Sequence, residues 1–96
     1  MYNINLTGGT IFMEKTYSIK DAAAITGVTE KQLRNWEVQS FITDIERLQS
    51  GSRALRRYNE DQIREIKEIK KLINIGFTVS AASRRVNNNN IKLEDI

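Results

Sequence analysis

The residues best able to do chemistry in this chain are six cations in its middle third, Lys31, Arg34, Arg47, Arg53, Arg56 and Arg57, set against only three acids there, Glu37, Asp44 and Glu46. Ammonium and guanidinium groups donate hydrogen bonds and accept none, so such a cluster suits phosphate oxygens and the acceptor edges of bases. Lys31, Arg34 and Asn35 recur at one-turn spacing and project from one side of a short helix, while Leu33 and Trp36 fall on the other with Val28 packing just below. That is a helix with a buried side and a donor-rich side, as a DNA-reading helix requires. Arg53, Arg56, Arg57 and Tyr58 follow in a segment without helical period and extend the candidate DNA-binding set. The chemistry on offer is recognition, not bond making. The 96 residues include no His and no Cys, which removes the commonest acid–base group and metal ligand and any disulfide or thiolate site. We therefore expect no enzyme, no cofactor and no metal.

The elements that position these groups announce themselves by their caps. Ser18 with Asp21 opens a first helix, whose Ala22-Ala23-Ala24 run lets a second helix approach closely. Gly27 ends it, because glycine takes a left-handed conformation without a Cβ penalty. Thr29 followed by Gln32 is a capping box that starts the reading helix, and Ser18, Thr29 and Gln32 join the candidate DNA-binding residues from these helix starts. Helix, glycine turn and helix make a helix-turn-helix, whose second helix enters a major groove. Phe41-Ile42 supplies an apolar anchor. From Thr43 to Arg57 the period suggests two short strands joined at Ser50-Gly51-Ser52, a wing with Ile45 and Leu48 inward and a loop longer than two residues. Asn59 caps a long helix with Ile63, Ile66, Ile69, Leu72, Ile73 and Ile75 on its apolar face, ending at Gly76. Thr78 caps a fourth helix from about Val79 to Val86, and the Asn87 to Asn90 run is expected to stop it.

In this order the pieces resemble the DNA-binding domain of MerR-family transcription regulators. The likeness rests on Tyr17-Ser18-Ile19, Ala23, Thr26-Gly27-Val28, Leu33-Arg34, Trp36-Glu37, Arg56-x-Tyr58 and Gly76-Phe77-Thr78, and runs from Tyr17 to about Val86. The resemblance implies a mainly α fold, a small winged helix-turn-helix with about four helices and a short β-hairpin wing, that binds a palindromic promoter element as a dimer. It further implies that Lys31 and Arg34 face bases or phosphates, and that Arg56, Arg57 and Tyr58 hold the backbone from the wing. Asn35 stands where the family has an aromatic, exchanging a ring contact for an amide able to read adenine. The family normally continues into a dimerising coiled coil and an effector-binding region, whereas ten residues follow Val86 here. The expected organisation is a flexible N-terminal arm (1–15), the DNA-binding domain (16–86) and an Asn-rich linker and C-terminal tail (87–96).

Composition agrees with a small soluble domain: 40% hydrophobic, 28% charged, net charge +3, and no apolar run near the roughly 20 residues of a membrane span. The expected function is sequence-specific double-stranded DNA binding as a transcription regulator, cytoplasmic and nucleoid-associated. Its expected partners are DNA, a second copy joined through a missing or alternative C-terminal element, and RNA polymerase, with no membrane. Two other readings stand beside it. One is an architectural DNA binder of excisionase or plasmid-segregation type, acting as an array without an effector domain. The other is a protein-interaction module that kept the fold and lost DNA binding.

Overall fold

The computed structural model describes residues 15–95. Its elements run β1 (Thr16–Tyr17), α1 (Ile19–Thr26), α2 (Glu30–Val38), β2 (Glu46–Ser50), β3 (Arg53–Asn59), α3 (Glu60–Asn74) and α4 (Val79–Asp95). The expected N-terminal arm lies outside the described residues except for Lys15. Among the described residues, no helix is long and apolar enough to cross a membrane.

Local chemistry sets where each helix begins. Ser18 accepts a hydrogen bond from the Asp21 N–H at 3.1 Å, and Thr29 accepts one from the Gln32 N–H at 3.0 Å while Gln32 Oε1 accepts from the Thr29 N–H at 3.1 Å. The same reciprocal pair forms at α3 between Asn59 and Gln62. These bonds satisfy donors that a helix start would otherwise leave orphaned. Between α1 and α2, Gly27 at φ 80 donates to the Ala23 carbonyl. The Thr26 hydroxyl donates to the Ala22 carbonyl and accepts from the Val28 N–H, so a buried threonine braces the turn from inside.

Helix α2 ends in a Schellman loop, with the Phe41 N–H reaching the Trp36 carbonyl at 2.8 Å and the Ser40 N–H reaching Glu37 at 3.0 Å. Ser40 occupies its left-handed position at φ 65, where glycine is usual. Helix α3 ends the same way through Phe77 and Gly76 on Leu72 and Ile73. Both loops fold a phenylalanine back, and Phe41 and Phe77 pack half-buried on the core.

That core joins Ala22 of α1, Leu33 and Trp36 of α2, Val28, Ile42 and Ile45 of the connections, Tyr58 of β3, Ile63, Ile66 and Ile69 of α3, and Ala82 and Val86 of α4. Ala22 is fully buried, as the expected close approach of helices requires. The expected apolar faces were drawn too wide. Ile25, Leu48 and Ile75 are exposed, because α1 and the wing are covered on one side only and Ile75 lies past the last turn of α3.

One strand is added and two further expectations are corrected. Ahead of the Ser18 cap, Tyr17 pairs with Tyr58 as Thr16 pairs with Asn59, making β1 the third strand of an antiparallel sheet ordered β1-β3-β2. The wing loop has two residues, not more. Ser50 pairs with Arg53, and Gly51 at φ 63 takes the first central position, the place a type II′ turn reserves for glycine. Helix α4 does not stop at the asparagines but continues to Asp95. Asparagine costs only about 0.7 kcal/mol per helical position relative to alanine, and a helix already nucleated by the burial of Ala82 and Val86 propagates through it where no Gly or Pro intervenes.

Gln62 joins α3 to the root of the wing. It is buried, and its amide donates to the carbonyls of Thr43 (3.0 Å) and Asp44 (2.8 Å) while its oxygen caps the helix. Removing this buried side chain takes the partner from three part-buried backbone groups, whereas its counterpart Gln32 is exposed. Gln62→Ala is expected to lower stability by about 2–3 kcal/mol, and Gln32→Ala by no more than about 1 kcal/mol, in urea unfolding followed by circular dichroism.

Candidate nucleic-acid interface

Strand register divides the wing's cations between two faces. Arg47 sits opposite Arg56 and Gln49 opposite Ala54, so these side chains share one face with Tyr58, two residues on. Glu46, Leu48, Ser50, Arg53, Leu55 and Arg57 occupy the other. The first face meets α2. There Glu37, on the last turn of the reading helix, takes both wing arginines on one carboxylate: Arg56 Nε donates to Oε1 at 2.8 Å, and Arg47 Nη2 lies 3.0 Å from Oε2. Arg47 also donates from Nη1 to the Ile45 carbonyl at 3.1 Å.

On α2 itself Lys31, Arg34 and Asn35 are exposed. Arg34 reaches back one turn to Glu30 at 3.3 Å, an exposed pair worth a few tenths of a kcal/mol that leaves the guanidinium available. Asn35 accepts a long contact from Gln39 at 3.4 Å. The reading helix and the wing converge electrostatically on the Tyr58 hydroxyl. Burial pushes this phenol up, and against that push the guanidiniums of Arg56, Arg47 and Arg34 pull it down while Glu37 raises it further. The contact between α2 and the wing is the Glu37 carboxylate with Arg47 and Arg56, and Lys31 shares the side of α2 that carries Arg34.

The expected residues divide accordingly. Lys31, Arg34, Asn35 and Arg56 lie together on α2 and the wing face against it. Arg53 is exposed beside the wing turn on the far face. Arg57 turns away from α2, its Nε donating to the Thr16 hydroxyl at 3.2 Å and its Nη2 to the Thr16 carbonyl at 3.0 Å, so it ties β1 to the sheet. Ser18, Thr29 and Gln32 use their oxygens on helix starts. Tyr58 does not face solvent: it is fully buried, and its hydroxyl has no hydrogen-bond partner. A phosphate cannot reach it in this arrangement, because the side chain fills the core beneath the arginines. Trp36 is core as well. Two residues outside the expected set, Arg47 and Glu37, meet Arg56 where the wing faces α2. The run Glu46 to Ser50 carries no period that distinguishes its faces, and only pairing with β3 shows Arg47 opposite Arg56.

Because the Tyr58 hydroxyl is buried without a partner, Tyr58→Phe is expected to keep full stability or gain up to about 1 kcal/mol at neutral pH. The folded protein holds this proton more tightly than the unfolded chain. Wild-type stability is therefore fully present below the ordinary phenol value of 10.0 and falls as pH rises beyond it, and this alkaline loss should shrink in Tyr58→Phe when urea midpoints are compared from pH 8 to 11.

Comparison with known proteins places this geometry. The structure is similar to the crystal structure of HiNmlR, a MerR family regulator lacking the sensor domain, bound to promoter DNA, with a TM-score of 0.66 and 21% sequence identity over 80% of this chain. The match spans 56% of that protein's chain. No curated protein matches the sequence. Residues 17–89, from the β1 strand that anchors Arg57 through most of α4, match the family described as MerR HTH family regulatory protein, and the chain belongs to that family.

Proposed function

We propose that this protein binds double-stranded DNA as a transcription regulator, with α2 in the major groove and the wing on the phosphate backbone. The observation that carries this reading is the Glu37 carboxylate at the end of α2, which takes Arg47 and Arg56 of the wing at 3.0 and 2.8 Å and so fixes the wing's cations beside the helix that exposes Lys31 and Arg34. An isolated charged helix face would only be solvated. Here the strands hold a second row of donors beside the first, and positive charge in excess of the two acids there, Glu30 and Glu37, draws in a polyanion. That HiNmlR is bound to promoter DNA favours the same partner for this chain.

Division of labour follows from the placement. Lys31, Arg34 and Asn35 project together from α2 and supply base contacts, Asn35 with an amide suited to adenine and Arg34 with a fork suited to guanine. Arg47, Arg53 and Arg56 contact phosphates, which set register without reading sequence. A second copy on a palindromic site would double these contacts, and a promoter site would bring RNA polymerase alongside in the cytoplasm.

Selection of duplexes from a randomised pool with the purified protein, followed by footprinting, tests this reading. A compact palindrome supports a regulator, an extended array of direct repeats supports an architectural binder, and no retained duplex at low salt refutes both. Neutralising about four to six phosphates per monomer gives a slope of log K against log salt of roughly −4 to −5, doubled in a dimer. In fluorescence anisotropy Arg34→Ala should cost about 1–3 kcal/mol and change the preferred sequence, whereas Arg56→Ala should weaken all sequences alike.

A further inference from the structure

Glu37 stands out because an interface for a polyanion contains a carboxylate at its centre. Its side chain is 19% exposed and holds two guanidiniums at once, so the three groups together carry one net positive charge. The two bonds are unequal. Arg56 lies on the central strand β3, is 25% exposed, and donates through Nε, the atom nearest its stem. Arg47 lies on the edge strand β2, every residue of which is exposed, is itself 40% exposed, and is held by a terminal nitrogen. A phosphate arriving from solvent therefore meets Arg47 first, and can replace the carboxylate there without disturbing Arg56.

We propose that Glu37 is a positioning residue that sets DNA selectivity: it keeps Arg56 fixed between the reading helix and the wing, and it yields Arg47 to a backbone phosphate only when the duplex is docked. This rests on the DNA-binding reading above. Loose, non-specific association has to compete with Glu37 for Arg47, while a fully seated duplex recovers that competition through its base contacts to α2. The carboxylate thus weakens binding to the wrong sequence more than to the right one, which is how a repulsive group yields specificity. Its charge limits what the wing gains from phosphate alone.

The test uses the purified protein with two probes of equal length, a duplex enriched from the randomised pool and a scrambled one. In ¹⁵N spectra of arginine Nε–H groups, the Arg56 Nε–H should be protected from exchange in the free protein and stay protected when the enriched duplex is added, while the Arg47 signal moves. Glu37→Gln removes the negative charge. It should raise affinity for the scrambled duplex about two- to fivefold and lower the enriched-to-scrambled ratio by a similar factor. The salt slope on the scrambled duplex should steepen by about 0.9, as for one further phosphate neutralised. A merely structural role would lower thermal stability and leave the ratio and slope unchanged, which would overturn the proposal. Arg47→Ala, at an exposed position that the fold does not require, provides the second check: it should abolish the effect of Glu37→Gln on the slope, and a slope that still steepens in the double variant counts against it. Retention of duplex with an unmoved Arg47 overturns the exchange alone, whereas retention of no duplex by the wild-type protein overturns the DNA-binding reading with it.

Discussion

A two-stranded hairpin exposed along most of its length cannot fix its own angle to the rest of a protein, and the geometry of this interface depends on how that is overcome. Strand β2 is exposed throughout, and β3 becomes buried only at Tyr58. An isolated hairpin is marginal in water. Here the Tyr58 ring enters the core formed by α1, α2 and α3, and two residues earlier Arg56 bonds to Glu37 on α2. Apolar burial provides the affinity of wing for core, and the ion pair provides its orientation. The buried phenol oxygen without a partner shows which requirement dominates, since the ring stays in the core although one polar atom goes unsatisfied.

The helices are held by devices of the same economy. Two capping boxes and two Schellman loops define the ends of α2 and α3, and each loop turns a phenylalanine onto the core. Gln62 does more than cap. Its amide hydrogens satisfy two carbonyls at the root of the wing, close to Asp44, whose φ of 62 is uncommon for a residue with a side chain. On the other flank Ser83 of α4 donates to the Phe41 carbonyl at 2.9 Å. The irregular segment between α2 and β2 is thus tied to α3 and α4, so the reading helix and wing are both referred to one platform of isoleucines.

Charge is arranged with equal specificity. The arginines of β3 are adjacent in sequence and opposite in direction: Arg56 meets the carboxylate of α2, and Arg57 reaches β1 through Thr16. One joins the hairpin to α2 and the other ties the sheet together. Net charge says nothing of this division, because it follows from strand pleat and from which side of the sheet the core occupies.

How much was legible beforehand follows from the range of each interaction. Caps, the glycine turn at Gly27, the donor-rich side of α2 and the apolar stripe of α3 are properties of residues within four positions of one another, and the chain states them directly. Order along the chain was enough to suggest the family. The two-residue wing turn is not legible because Gly-Ser is a weaker signal than Asn-Gly, and the length of α4 is not because asparagine's local preference points to a stop where helix propagation prevails. Tertiary structure alone decided which side of the hairpin meets α2, and with it the burial of Tyr58, which of Arg56 and Arg57 faces the helix, and the place of Arg47. A shift of one residue in the pairing of β2 with β3 would carry Arg47 to the other face of the hairpin. The pairing is long-range and is set by the fit of the Tyr58 ring into a core built by four other elements, information that no local stretch of the sequence contains.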